Sequence, residues 1–153
     1  MIRSVMTVLM LSMASIAFAQ DACNTKLTLN CEADFRAEYQ SLQTLTASDA
    51  FADENWDEPS LANCASTVYM TTGNTTVRVS VEKDLSSSAL KVNSNASQIT
   101  DYVQNGQKMR RADYSNFASA NAVVGQVFSL ETLQLALPLA NGVTNVNVKC
   151  VVK

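Results

Sequence analysis

The chain has 153 residues, with 11 basic and 14 acidic side chains and no histidine. The lack of histidine excludes histidine-based triads and histidine metal sites, and the acidic balance argues against a nucleic-acid partner, because such binding rests on neutralising phosphates with Lys and Arg. The four glycines form no phosphate-binding loop and no G-x-S-x-G motif occurs, so an enzyme with this sequence would depend on carboxylates or on an arrangement that residue spacing does not reveal.

Residues 1–19 have the pattern of a secretory signal peptide, with Arg3, an apolar run and an Ala17-Phe18-Ala19 cleavage signal. The run is shorter than the ~20 apolar residues of a spanning helix, so no membrane span is expected. Removing the first 19 of 153 residues leaves 134, which is enough for one domain at 20–153. The signal anatomy favours a Gram-negative bacterium and a periplasmic or extracellular protein.

Four cysteines in an exported chain indicate two disulfides, for which the sequence permits three pairings. We favour Cys31 with Cys150, because both fall in strand-like alternation. This choice leaves Cys23 with Cys64. The alternative is a local loop closed by Cys23 and Cys31.

Residues 27–39 alternate without a break between apolar and polar side chains, with Cys31 on the apolar side. A period of two predicts a long, half-buried antiparallel strand. The alternative is a helix over about 32–45, which the Ala, Glu and Gln content and the spacing of Phe35 and Tyr39 support.

Residues 46–63 read as a long loop with five carboxylates and no base. Trp56, followed by Asp57 and Glu58 and near Phe51, is a candidate aromatic anchor for a basic protein partner. The alternative is that Trp56 is buried beneath the loop.

The same loop has part of the spacing of a calcium-binding EF-hand, with Asp53, Asn55 and Asp57 at positions one, three and five. Position six is Glu58 instead of Gly, and position twelve is Cys64 instead of Glu. We therefore predict a solvated acidic loop and no metal site.

The clearest hairpin pairs residues 66–71 with 75–83 through a turn at Gly73 and Asn74. A short strand is predicted at 89–92. The apolar group that follows, at 99–103, suits either a strand or one helical turn.

Asn105 and Gly106 form a strong turn signal, followed by the basic cluster Lys108, Arg110 and Arg111. These bases are candidates for contacting an anionic ligand. The alternative is a solvated face without a ligand.

The end of the chain is predicted to be a loop at 113–121, two strands within 122–139 with a break near Glu131, and a last strand. Asn141 and Gly142 form the turn into that strand, NVNVKCVVK, whose cysteine falls on the valine side.

Short strands, repeated turns and no βαβ rhythm predict an all-β antiparallel sandwich of six to eight strands, with a small β-barrel as the alternative. The expected function is a non-catalytic binding or surface-interaction module without a cofactor. Its expected partner is a basic protein or an anionic envelope component. The alternatives are an inhibitor of a basic secreted enzyme, suggested by the net charge of −7 over residues 21–64, and a carboxylate-dependent hydrolase, for which spacing nominates no catalytic residue.

Overall fold

The computed structural model describes Cys23 and residues 26–37, 40–54, 63–83, 89–134 and 142–153, with the backbone alone at 113–120 and 131–134. The expected signal peptide, residues 1–19, lies outside this part of the chain. Within it, the regular structure is nine strands, and no helix with the length and hydropathy to cross a membrane is found. The strands are β1 Thr28–Ala37, β2 Gln40–Ala50, β3 Ala52–Glu54, β4 Asn63–Thr72, β5 Thr75–Lys83, β6 Leu90–Gln104, β7 Gln107–Ala122, β8 Phe128–Gln134 and β9 Asn145–Val152.

The strands form two antiparallel sheets. The first sheet has the order β2-β1-β9-β8 and the second has the order β3-β4-β5-β6-β7. Their inner faces share one hydrophobic core. The predicted all-β sandwich is confirmed, with nine strands among the described residues instead of six to eight.

The two strands of the first sheet that carry a cysteine, β1 and β9, lie side by side in its middle. Every second side chain of β1 from Leu29 to Phe35, and of β9 from Val146 to Val152, is buried. Thr28 and Lys153 exchange backbone hydrogen bonds of 2.8 and 3.0 Å. Because bonded and non-bonded pairs alternate along an antiparallel ladder, Cys31 and Cys150 occupy a non-bonded pair, in which the strands come closest.

Both predicted disulfides are confirmed, so the local Cys23–Cys31 loop is wrong. Cys31 and Cys150 face each other directly in the register, with Cα atoms 4.1 Å apart. Cys23 is bonded to Cys64, which is fully buried on β4. One bridge therefore lies within the first sheet, and the other ties residue 23 to the second.

The helix considered at 32–45 is wrong. β1 continues to Ala37, and β2 pairs with it from Thr28↔Ala50 to Ala37↔Gln40. The period of two decides the structure here because Cys31, Ala33 and Phe35 are all buried in the core, which a helix could not achieve on one face.

The long loop predicted at 46–63 is wrong over 46–54. β2 runs to Ala50 in the first sheet, and after Phe51 the chain enters the second sheet as β3. Phe51 is buried, and its backbone N–H donates to Leu27 O at 2.9 Å, so it fixes the crossover between sheets. Residues at the edges of both sheets need few apolar side chains, which is why this stretch resembles a loop in composition.

β4 and β5 form the predicted hairpin. The pair Thr72↔Thr75 closes a two-residue turn in which Gly73 has a φ of 56°. Only a residue that tolerates positive φ fits there, and glycine does so at no steric cost.

β6 and β7 are longer than the sequence predicts. The apolar group at 99–103 belongs to the 15-residue strand β6, and the loop predicted at 113–121 belongs to the 16-residue strand β7. The predicted break near Glu131 is a register shift between Leu130 and Leu133 within β8. Backbone pairing with β6 holds 113–121 extended although Ser, Ala and Asn have little strand preference.

Candidate functional site

The hairpin of β6 and β7 extends beyond the core of the sandwich. On the core-facing side of β6, Ser94, Ala96 and Gln98 are completely buried, whereas every residue at 101–112 is exposed. Six cross-strand pairs make up this extension, which is therefore about 20 Å long. We call residues 99–112 the arm.

The arm ends in the turn that the sequence predicts. Asn105 and Gly106 have φ angles of 51° and 76° and lie between the paired residues Gln104 and Gln107. Two consecutive residues with positive φ are typical of a type I′ turn, whose twist matches that of the flanking strands. The Asn-Gly pair thus holds the two strands of the arm in register.

The arm exposes large apolar side chains on both faces. Tyr102 and Met109 are cross-strand partners and continue the core-facing side of the sheet, with exposed fractions of 38% and 39%. Ile99 and Val103 lie on the opposite side and are 42% and 70% exposed. The core-facing side of the arm therefore lacks the cover that buries Ser94, Ala96 and Gln98 on the same side of β6.

The predicted basic cluster lies on the arm. Lys108 and Arg110 are on its outer face, and Arg111, which pairs with Thr100, is on the core-facing side. The Arg110 guanidinium donates to both carboxylate oxygens of Asp101, at 2.7 Å from Nε and 3.2 Å from Nη2. This contact lowers the pKa of Asp101 and raises the pKa of Arg110, so both groups stay charged.

The base of the arm holds two polar atoms that lack a partner. Within the described part of the chain, the buried atoms Gln98 Oε1 and Thr100 Oγ1 have no hydrogen-bond partner. Both residues lie on the core-facing side of β6, where the core ends. Gln98 Nε2, in contrast, donates to Thr75 Oγ1 and to Val143 O, each at 3.0 Å.

The predicted aromatic anchor is only partly described. Phe51 lies in the core and is 8% exposed, so it supports the chain that leads into the acidic loop and does not face solvent. Trp56, Asp57 and Glu58 lie outside the described residues. Their role in binding stays a prediction.

A second candidate is a groove of about 560 Å³ on the outer face of the first sheet, which Glu32 and Asp34 line together. Asp34 accepts hydrogen bonds from Ser41 Oγ and from Arg36 Nε, both at 2.6 Å. The Ser41 hydrogen bond above all, and then Arg36, lowers the pKa of Asp34. A glycosidase acid needs the opposite shift, because it must hold a proton near neutral pH.

Sequence reasoning located the bases and the turn of the arm but missed Tyr102, Val103 and Met109 as exposed residues. The signal for them is that Tyr102 and Val103 are adjacent, so a strand containing both places apolar side chains on both faces. Comparisons of the chain with protein-family models, with curated proteins and with solved structures find no match.

Proposed function

We propose that the protein is an exported, non-catalytic interaction module that binds an anionic partner in the cell envelope through the arm. The observation that carries the proposal is that residues 101–112 are exposed on both faces of a regular, paired hairpin. Large apolar side chains kept in water beside a closed core are typical of binding surfaces.

The charge of the arm favours an anionic partner. Residues 99–112 contain three bases and one carboxylate, giving a net charge of +2, in a chain whose overall charge is −3. Positive charge around an apolar centre steers an anionic partner to the site and orients it there. The apolar side chains then supply the contact area.

Export is supported by two independent features. Residues 1–19 have the pattern of a signal peptide, and two disulfides such as Cys23–Cys64 and Cys31–Cys150 are typical of an oxidising compartment.

The test of this proposal is the double variant Val103→Asn with Met109→Gln. Immobilised protein is exposed to a cell-envelope extract, and the captured components are quantified by mass spectrometry. We expect at least about a tenfold loss of capture, since removing two central apolar contacts costs about 1.4 kcal/mol or more. The melting temperature should change little, because Val103 is 70% exposed and Met109 is 39% exposed, and both lie outside the buried core.

The matched control is Tyr69→Asn, which removes an aromatic side chain that is 62% exposed on the outer face of the same sheet. It should capture as the native chain does. Equal capture by the arm variant and the native chain would place the binding surface elsewhere.

A further inference from the structure

The two edges of the second sheet carry opposite charges. Its strand order puts β3 at one edge and β7 at the other. The three residues of β3 and residues 107–112 of β7 are exposed, whereas Ala122, at the other end of β7, is buried. An edge strand offers a row of backbone N–H and C=O groups to another strand, unless charge or shape prevents pairing.

β3 provides the acidic edge, and the arm provides the basic one. Asp53 and Glu54 are both exposed and follow each other in β3. Residues 40–54, which form the edge strands of both sheets on this side, contain three carboxylates and no base. On β7 the edge residues Lys108, Arg110 and Arg111 give the arm its net charge of +2.

The faces on which these charges lie also match. Asp53 pairs with the buried Cys64, so Asp53 is on the core-facing side of the sheet and Glu54 on the outer side. On the arm, Arg111 is on the core-facing side and Arg110 on the outer side. If β3 of one copy pairs with β7 of another and continues the sheet, a carboxylate therefore lies on the same side as an arginine on each of the two faces.

The strand directions fix how such a pair forms. The four strand pairs that link β3 to β7 are all antiparallel, so β3 and β7 point the same way. Suppose that a second copy extends the sheet beyond β7 of the first copy, with the outer faces of both copies on the same side. The β3 strand of the second copy then runs parallel to β7 of the first. Glu54 then lies beside Arg110 or its neighbour Lys108, and Asp53 lies on the side of Arg111.

We propose that the anionic partner of the arm is the β3 edge of a second copy of this chain. The inference rests on the proposed role of the arm as a binding surface. The contact is heterologous, because two different edges meet and each copy keeps one of them unoccupied. Contacts of this kind form open chains unless the rotation between copies closes a ring.

The experiment compares two charge-reversed variants by sedimentation velocity over a range of concentrations. Lys108→Glu with Arg111→Glu changes the arm from +2 to −2 and leaves the Asp101–Arg110 pair in place. Asp53→Lys with Glu54→Lys changes β3 from −2 to +2. The native chain should form concentration-dependent oligomers at about 0.01 M salt that dissociate at about 1 M, where the screening length falls from about 30 to 3 Å.

Each variant alone should remain a monomer, because like charges then face each other at the contact. An equimolar mixture should associate again, since each altered edge meets an edge of opposite charge. Recovery in the mixture also shows that both variants are folded. The control Lys26→Glu with Lys149→Glu makes the same change in net charge at two exposed positions away from the second sheet, one just before β1 and one on β9, and should associate as the native chain does.

A native chain that stays monomeric at all concentrations, or a mixture that fails to associate, overturns the self-association. If Val103→Asn with Met109→Gln still loses capture from the envelope extract, the arm binds an anionic component other than this chain. If self-association fails and the Val103→Asn, Met109→Gln variant captures as much as the native chain, the proposed role of the arm as a binding surface is wrong too.

Discussion

Gln98 joins the second sheet to the segment leading into β9. It is completely buried, and its amide nitrogen donates to Thr75 Oγ1 on β5 and to the backbone oxygen of the buried Val143. We predict that Gln98→Leu lowers the free energy of unfolding by about 1 to 3 kcal/mol, because the Val143 carbonyl loses a donor in a dry environment. Urea unfolding followed by circular dichroism measures the loss.

The near-isosteric Gln98→Glu separates the hydrogen bond from side-chain volume. It replaces the donating NH₂ by an oxygen next to Val143 O, and burial raises the pKa of the introduced carboxyl above its value in the unfolded chain. Its stability should therefore fall as the pH rises above about 4.3, since folding then favours the protonated form. A Gln98→Leu chain as stable as the native one would show that the amide hydrogen bonds contribute no net stability.

The two strands of the arm are kept paired by their own turn and not by packing against the core. Gly106 has a φ of 76°, and a Cβ placed on it would meet no atom within 4 Å. Gly106→Ala therefore adds only backbone strain, about 1 to 2 kcal/mol for a side chain in the left-handed region. We predict that amide exchange within 99–112 accelerates by roughly 5- to 30-fold while the melting temperature is unchanged, because local opening of the arm is separate from global unfolding.

Gly125→Ala is the matched control for the turn. Gly125 has a φ of 84° and equally open surroundings, but it lies in the connection between β7 and β8, where its N–H donates to Val152 O at 2.7 Å. This variant should leave exchange in the arm as it is. Faster exchange in β1 and β9 of the Gly106→Ala chain would mean that the arm and the core open together.

Alternation predicted the strands that bury a continuous row of apolar side chains and failed for the strands that do not. β1, β5 and β9 bury every second side chain, so a period of two is visible in their residues. β2 has no buried residue. β6 buries the apolar Leu90 and Val92 at its start, but the buried residues that follow, Ser94, Ala96 and Gln98, are small or polar, so hydropathy does not reveal that the strand continues. The extended structure of such strands depends on the neighbour with which they pair, which a local pattern does not contain.

The candidate site was predictable in its local part only. The Asn105-Gly106 turn and the bases from Lys108 to Arg111 are encoded within a few residues. That Tyr102 and Met109 are exposed depends on where the opposite sheet stops covering β6, which is set by packing between distant segments. The charge match between Glu54 and Arg110 likewise requires the order of strands in the sheet.

In the molecule as a whole, the Cys31–Cys150 bridge joins β1 to β9, the first and last strands of the described chain. It closes a loop with a sequence separation of 119 residues, against 41 for Cys23–Cys64. If the disulfides act by restricting the unfolded chain, their contributions are about 5 and about 4 kcal/mol. Both values are a large part of the 5 to 15 kcal/mol that holds a typical domain together.

The paired change Cys31→Ala with Cys150→Ala should therefore lower the free energy of unfolding by about 3 to 5 kcal/mol, measured by urea unfolding. The strand pair itself should persist, because the backbone bonds between Thr28 and Lys153 and the buried rows of β1 and β9 do not depend on the sulfurs. The m-value should rise, since the longer bridge keeps nearly the entire unfolded domain compact and its removal exposes more surface. The comparison is Cys23→Ala with Cys64→Ala, whose shorter loop predicts a smaller rise in the m-value. An equal or larger rise for this second pair would mean that the unfolded chain retains structure near β1 and β9, and that the first bridge does not act by restricting the longer loop.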